Sequence, residues 1–295
     1  MPSLRDLRRR IRSVKNTAQI TKAMEMVAAS RMRRAQQRVV ASRPYAETLR
    51  ELIRELSTGY GAAGGSVHPL LQQRETIKKA AVILMTTDRG LAGALNTNVI
   101  RRGTEALLEV APETEVVTVG RKGLGFMVRR GKQPLGSFTD LGDKPTYEDA
   151  IPIARIVSDA FLSGQVDAVF LVYPKFVSTL SQRPQLDQLL PVPPIVADPG
   201  APKRAKTDYI YEPDPEAILQ ALVPRYVEVL VYEAILETVA SEQSARMISM
   251  RNATNNAKDL VTSLTLSANR VRQSSITNEV AEIAAAAVAM ESSSR

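Results

Sequence analysis

Apolar residues return at alternating spacings of three and four near the start of the chain, at Leu4, Leu7, Ile11, Val14 and Ala18. That is a heptad seam, which predicts a helix laying one apolar stripe against another helix. The seam is expected to drift to Ile20, Met24 and Val27, as a stutter would allow. Ser3 is a suitable N-cap, with Asp6 in the first turn. The helical pattern runs to about Leu56, and Pro44 should bend or break it. The stretch Gly59-Tyr60-Gly61-Ala62-Ala63-Gly64-Gly65-Ser66 reads as a flexible linker.

The middle of the chain alternates between strand and helix patterns. Ala80 to Thr87 is an unbroken apolar run of the kind buried on both faces of a sheet. A helix is predicted from about Asn96 to Glu109, a second strand over Glu115–Val119, and a possible helix after Gly120-Arg121-Lys122-Gly123. Tyr147 to Leu162 follows as an amphipathic helix with Ile151, Ala154, Val157 and Phe161 on one face, then a third strand at Val166–Tyr173. Alternation of this kind predicts a parallel sheet with helices on its faces. The Pro-rich stretch Pro191 to Pro202 closes that domain. Asp214-Pro215-Glu216 then opens a last helix, with Asp as N-cap and Pro in the first turn. From there to Met290 no Gly occurs and only Pro224 interrupts. Such a helix would be on the order of 110 Å long. Its seam, Met247, Met250, Thr254, Ala257, Val261, Leu264, Ala268, Val271 and Ser275, is rich in small residues that admit a close partner. The two terminal helices flank the middle in sequence, so antiparallel pairing is the simplest arrangement.

The expected fold is therefore α/β plus a long helical coiled coil, with antiparallel N- and C-terminal helices flanking a Rossmann-like parallel-sheet domain. Its divisions are expected at 1–58 (first helix), 59–76 (linker), 77–205 (α/β domain) and 206–295 (last helix). The distribution of aromatics agrees, since none precedes Tyr45 and none follows Tyr232. Globular cores recruit aromatics, whereas closely packed helix pairs manage with aliphatic and small residues.

Charge adds a question. The 295-residue chain carries a net +8, yet Met1 to Arg43 hold 12 Lys/Arg against 2 Asp/Glu, so the remainder is slightly acidic. Arg8-Arg9-Arg10 and Arg31-Met32-Arg33-Arg34 could grip phosphate backbones. They could equally form a solvated helix face, or meet acidic loops of a protein partner. No aromatics interleave with them for base stacking.

Chemistry is scarce. The absence of cysteine removes disulfides, thiolate zinc sites and thiol nucleophiles. The single histidine, His68, sits before Pro69 and is expected to be a solvated loop residue rather than a catalyst or metal ligand. No apolar run is long enough to span a membrane, and no secretory signal is evident; a soluble, cytosolic chain is expected. Gly120-Arg121-Lys122-Gly123-Leu124-Gly125 lacks dinucleotide spacing, and no P-loop occurs. Asp88-Arg89-Gly90-Leu91-Ala92-Gly93 could present amides to an anion, but a tight strand-to-helix connection is the favoured reading. Asp88, Asp140 and Asp143 lack an acid–base partner. No catalytic residue and no metal site are expected.

Four segments carry a resemblance. They are Ile20–Met32 (ITKAMEMVAASRM), Thr87–Asn96 (TDRGLAGALN), Ala240–Met247 (ASEQSARM) and Arg272–Ile283 (RQSSITNEVAEI). In this order along the whole chain they resemble the gamma subunits of F-type ATP synthases. That family commonly has Cys-Gly-Gly where this chain has Ala92-Gly93-Ala94, and usually Gly at the position of Ala286; Ala there keeps the helix. The regulatory cysteines of the plant type are absent.

The resemblance implies a non-catalytic central rotor shaft. It would couple rotation of a proton-driven membrane ring to ATP synthesis or hydrolysis at the beta subunits, and regulate ATPase activity and proton flow. It implies no cofactor on this chain, ATP, ADP and magnesium residing on the alpha and beta subunits. The implied partners are alpha, beta, epsilon and the c-ring, with one copy per complex and a peripheral place on the cytoplasmic face of the cell membrane. Arg272, Gln273, Met24 and Arg246 match family positions that contact or transmit to beta. Tyr209, Tyr211 and Glu212 match the foot near epsilon and the rotor ring. The alternative from a different class is a basic coiled-coil protein that binds nucleic acid. An independent nucleotide-binding enzyme is a third.

Overall fold

The computed structural model describes residues 3–62, 68–193, 212 and 214–293, with backbone alone for 57–62 and 287–293. Its helices are α1 (Leu4–Ala62), α2 (Leu95–Glu109), α3 (Arg121–Arg129), α4 (Ile151–Leu162) and α5 (Pro215–Ser293). Its strands are β1 (Lys79–Met85), β2 (Glu113–Val119), β3 (Gly136–Phe138), β4 (Ala168–Phe176) and β5 (Gln182–Leu190). The chain divides into two compact units, Met1–Val27 with Met247–Arg295, and Ala28–Arg246.

In the first unit α1 and α5 run antiparallel. The Thr21 hydroxyl lies 2.8 Å from that of Thr254, and four residues further along α1 the Arg251 guanidinium donates to Glu25 at 3.0 Å. On α5 the seam from Met247 to Val271 is buried or half-buried as expected, while Ser275 is exposed. The antiparallel register brings α5 level with the start of α1 near Arg272. From Arg272 to Ala286 every residue of α5 is exposed.

The expected drift of the α1 seam does not occur. Ile20 is 61% exposed and Val27 50% exposed. The three–four spacing instead continues through Thr21, Glu25, Ala28, Met32 and Ala35 and on to Ala46, Leu49, Ile53 and Leu56, all buried. Two seam positions are polar because α5 supplies polar partners there. Lys22 and Arg251 hold the Glu25 carboxyl below the usual carboxylate range, outweighing the opposing effect of burial. The helix is not broken at Pro44, which lies on an exposed face and accepts the Thr48 hydroxyl at its carbonyl.

The second unit is built on a five-stranded sheet of order β3-β2-β1-β4-β5. The first four strands are parallel, and β5 pairs antiparallel with β4. The sheet is thus mixed rather than wholly parallel. β5 reads QRPQLDQLL, too polar to register as a strand in the sequence. Its edge position explains both the polarity and the tolerance of Pro184. β1 has six of its seven residues fully buried, as its apolar run requires. The predicted helix at Tyr147–Leu162 is a short 3-10 turn, Tyr147–Asp149, followed by α4. One face of the sheet packs with α4, α1 and α5 around Ile53, Phe161, Leu190 and Ile235; the other packs Leu84, Val99 and Met127.

Three details of the second unit bear on stability. Gly120 adopts φ +89, and a Cβ there would lie 2.3 Å from the Thr86 carbonyl oxygen. Gly142 also has positive φ, +72, but its Cβ would meet nothing within 4 Å. His68 is buried rather than solvated, at 6% exposure. Its Nδ1 accepts the Leu70 N–H at 3.1 Å and so caps the 3-10 turn Pro69–Leu71.

Gly120→Ala is therefore expected to cost upwards of ~3 kcal/mol, against about 1 kcal/mol for Gly142→Ala, which meets only backbone strain. Urea denaturation midpoints of the two variants test the ordering. Burial lowers the pKa of His68. The unfolded chain then binds the proton more readily, and stability should fall as pH drops below about 6.5. In His68→Gln, whose side chain does not titrate, that slope should be shallower by up to one proton between pH 7 and the pKa of the folded histidine, read from unfolding free energies across pH.

Candidate functional site

The ends of β1 and β2 and the N-terminus of α3 form a polar crevice at the carboxyl edge of the sheet, beside the β1/β4 point where the strand order reverses. Here the amides at the start of α3 are already used. The Thr86 hydroxyl accepts the Gly123 N–H at 2.8 Å, the Thr87 carbonyl accepts that of Lys122 at 3.2 Å, and Asp88 accepts that of Arg121 at 3.0 Å. Asn96 closes the loop from the start of α2, accepting the Thr87 N–H at 3.0 Å and donating to its hydroxyl at 2.8 Å. Ile235, Thr238, Val239 and Glu242 of α5 cover what remains, leaving a cavity of about 30 Å³. That is room for about one water. The stretch from Asp88 to Gly93 is thus a strand-to-helix connection whose ends are tied by Asn96 and by the first amides of α3. Among the described residues no group of three His, Asp or Glu could hold a metal ion, and no helix is long and apolar enough to cross a membrane.

What assembles at this end of the sheet is a set of polar ties. From α5, Arg246 donates to the Gly90 carbonyl at 3.1 Å and pairs with Glu242 at 2.5 Å, both side chains about nine-tenths buried. Ser241 donates to the Pro174 carbonyl at 2.8 Å, and Ser244 to that of Thr179 at 2.7 Å. Glu237 accepts the Phe176 N–H at 2.8 Å. Gln243 donates to Asp143 at 3.0 Å, and Arg31 of α1 donates to the other oxygen of the same carboxylate. Arg89 approaches Asp143 at 3.9 Å. Asp88 accepts the Asp140 N–H at 2.9 Å, and Arg121 grips the Asp140 carboxylate with bonds of 2.6 and 2.7 Å. The Thr87–Asn96 segment and the Ala240–Arg246 part of the C-terminal motif, far apart in sequence, therefore meet. Burial raises the pKa of Glu242; Arg246 opposes this, while Asp143 and Asp88 add to it.

The other sequence-singled residues lie elsewhere. Met24 is half-buried on α1, one residue before the Glu25–Arg251 pair. Arg272 and Gln273 are exposed on α5, and Glu212 is exposed before α5 begins. Tyr209 and Tyr211 lie outside the described residues. Of the basic run, Arg8, Arg9, Arg10, Arg33 and Arg34 are exposed, whereas Arg31 is half-buried against Asp143. Sequence reasoning missed Arg31, Asp143, Asp140 and Thr86 as members of the site. Asp140 and Asp143 drew notice only as failed acid–base candidates. Their partners lie between 19 and 112 residues away or on backbone atoms, and no spacing rule reports either.

Arg246→Ala would leave Glu242 buried and facing Asp88 and Asp143. The expected loss is about 3 kcal/mol, with a substantial part recovered when Glu242→Gln is added. Denaturant unfolding of the single and double variants measures both.

A family model described as ATP synthase matches residues 3–290. The chain is 51% identical over 293 residues to the ATP synthase gamma chain of Roseiflexus castenholzii, covering 98% of this chain and 99% of the relative. It is 49% identical over 290 residues to that of Dehalococcoides mccartyi, covering 98% and 100%. Among solved structures, the central stalk and c-ring assembly of Tetrahymena thermophila mitochondrial ATP synthase contains a chain with TM-score 0.60 and 25% identity, covering 79% of this chain and 99% of that one. A chain of Euglena gracilis mitochondrial ATP synthase shares the fold at TM-score 0.68 and 19% identity, covering 99% and 96%. Near-full-length matches of this kind, over a fold with the expected long helices and sheet, place the chain in the ATP synthase gamma-chain family.

Proposed function

We propose that this chain is the central rotor shaft of a proton-translocating F-type ATP synthase, non-catalytic itself. It would couple rotation of a membrane ring to ATP synthesis or hydrolysis on beta subunits. The observation that carries the reading is the filled crevice. The crevice beside the ends of β1 and β2 is occupied by α5 and by internal hydrogen bonds, so the polar chemistry there binds the helices to the sheet. A part that transmits force needs such ties and needs no reactive constellation. ATP, ADP and magnesium would then be handled by the alpha and beta subunits, and no cofactor by this chain.

The partners follow from the same reading: alpha and beta around the helices, with epsilon and the c-ring at the α/β end, one copy per complex. The chain would lie peripherally on the cytoplasmic face of the cell membrane, held by the membrane sector. Arg272 and Gln273 lie where α5 has passed the start of α1, exposed and therefore available to a beta loop. A guanidinium suits a catch of this kind because its planar fork fixes carboxylate geometry. Met24 would serve near the same helix pair. Arg246, buried on Gly90 and Glu242, would act in transmission from within the chain. Tyr209, Tyr211 and Glu212 belong to the proposed foot contact with epsilon and the ring. The exposed arginines of α1 would face acidic surfaces of the surrounding subunits. The nucleic-acid alternative gains no support from the family placement.

Co-purification with an ATP-hydrolysing alpha/beta assembly is the expected outcome of a pull-down of the tagged full-length chain. Nucleic-acid binding with a steep salt dependence, and no such assembly, would overturn the reading. In the assembled enzyme Arg272→Ala should lower coupled ATP synthesis about tenfold, equivalent to ~1.4 kcal/mol. Subunit stoichiometry should be unchanged, because the side chain is exposed within this chain; unaltered synthesis removes the case for that residue.

A further inference from the structure

We propose that Asp143 is a positioning residue that fixes the rotational setting of α1 and α5 against the α/β domain, so that torque passes between them without slip. The inference rests on the rotor reading and adds a named device to it.

The apolar contacts at this end of the sheet are made largely by small side chains. Ala35 packs with Val239 and Ala240, and Ala92 and Leu95 pack with Ala245. Such contacts are non-directional and contribute in proportion to area, so they hold a helix close without fixing its angle about its own axis. Directional bonds fix that angle: Glu237, Ser241, Ser244 and Arg246 each tie α5 to the domain, and among these ties Asp143 is the one that bonds α1 and α5 at once. One oxygen takes Arg31 of α1 and the other takes Gln243 of α5 at 3.0 Å, so a single rigid plane is bonded to both helices. A charge-assisted bond of this type is short and angle-dependent. The side chains of Asp143 and Arg31 are 28% and 35% exposed, enough for water to limit the desolvation cost.

The loop that presents Asp143 is itself braced. Asp140 and Gly142 both have positive φ, 64 and 72, which turn the chain back toward the helices. The Asp140 N–H is held by Asp88 and its carboxylate by Arg121 at the start of α3. A path of directional bonds thus leads from the β1 loop and α3, through residues 140–143, to α1 and α5. A loop needed only to connect β3 to the next helix would require none of these.

The test uses the assembled enzyme in membrane vesicles, with ATP hydrolysis and ATP-driven proton pumping measured together. Asp143→Asn and Asp143→Ala should leave assembly and hydrolysis near wild type. The pumping-to-hydrolysis ratio should fall about threefold, toward the lower end of what mutations along a coupling path produce. Arg31→Ala combined with Asp143→Ala should be no worse than Asp143→Ala alone, because Asp143→Ala already removes the bond that Arg31 makes. Glu109→Ala, which breaks an exposed pair with Arg102 on α2, should leave the ratio unchanged. An unchanged ratio in assembled Asp143→Ala enzyme overturns the inference while the rotor reading stands. If that variant does not assemble, Gln243→Ala decides, since it deletes a neutral partner of the same carboxylate, and an unchanged ratio there overturns the inference equally. Failure of the wild-type chain to join any alpha/beta assembly would instead sink the rotor reading.

Discussion

An isolated helix in water gains little from its own backbone hydrogen bonds, and a 59-residue helix as polar as α1 would fray without cover on its apolar stripe. That stripe is narrow, one residue every three or four, and most of its members are small or medium-sized. A narrow stripe demands a partner that stays in register along it, and α5 meets the demand with its own run of small residues. Where the stripe turns polar, at Thr21 and Glu25, α5 turns polar too, with Thr254 and Arg251. A carboxylate buried without such a partner would carry a large desolvation penalty, so these pairs penalise any shifted register.

The α/β unit uses a fold associated with nucleotide binding for a different purpose. The crevice at the ends of β1 and β2 is closed by α5, and the amides at the start of α3 are taken by Thr86, Thr87 and Asp88. The polar groups that would be catalytic in an enzyme of this architecture are here structural ties. This is why a search for reactive constellations finds carboxylates without acid–base partners. Asp88 holds backbone amides, Asp140 holds Arg121, and Asp143 holds two helices at once.

Much of the architecture was legible beforehand, and the failures share a cause. The long helices followed from spacing, α5 also from its lack of Gly, and β1 from its apolar run, although α1 continues to Ala62 through Gly59 and Gly61, which read as linker. β5 was not legible, because an edge strand exposed on one side needs no apolar face and QRPQLDQLL offers little. The seam past Ala18 was misplaced, because the rule that apolar residues mark a seam skips polar residues whose partners are polar. His68 reads as a solvated residue, because nothing local announces that a loop histidine will cap a turn and be buried by distant elements.

The sequence by itself determined the family, the antiparallel helices and the absence of thiol chemistry. These depend on local periodicity, on composition and on motifs that survive as linear strings. The tertiary structure alone decided which polar residues work together. Arg31 and Asp143 are 112 positions apart, and Gly90 and Arg246 are 156 apart. Directional bonds between such residues exist only once the chain has folded, because each needs an angle as well as a neighbour, and a linear pattern encodes neither.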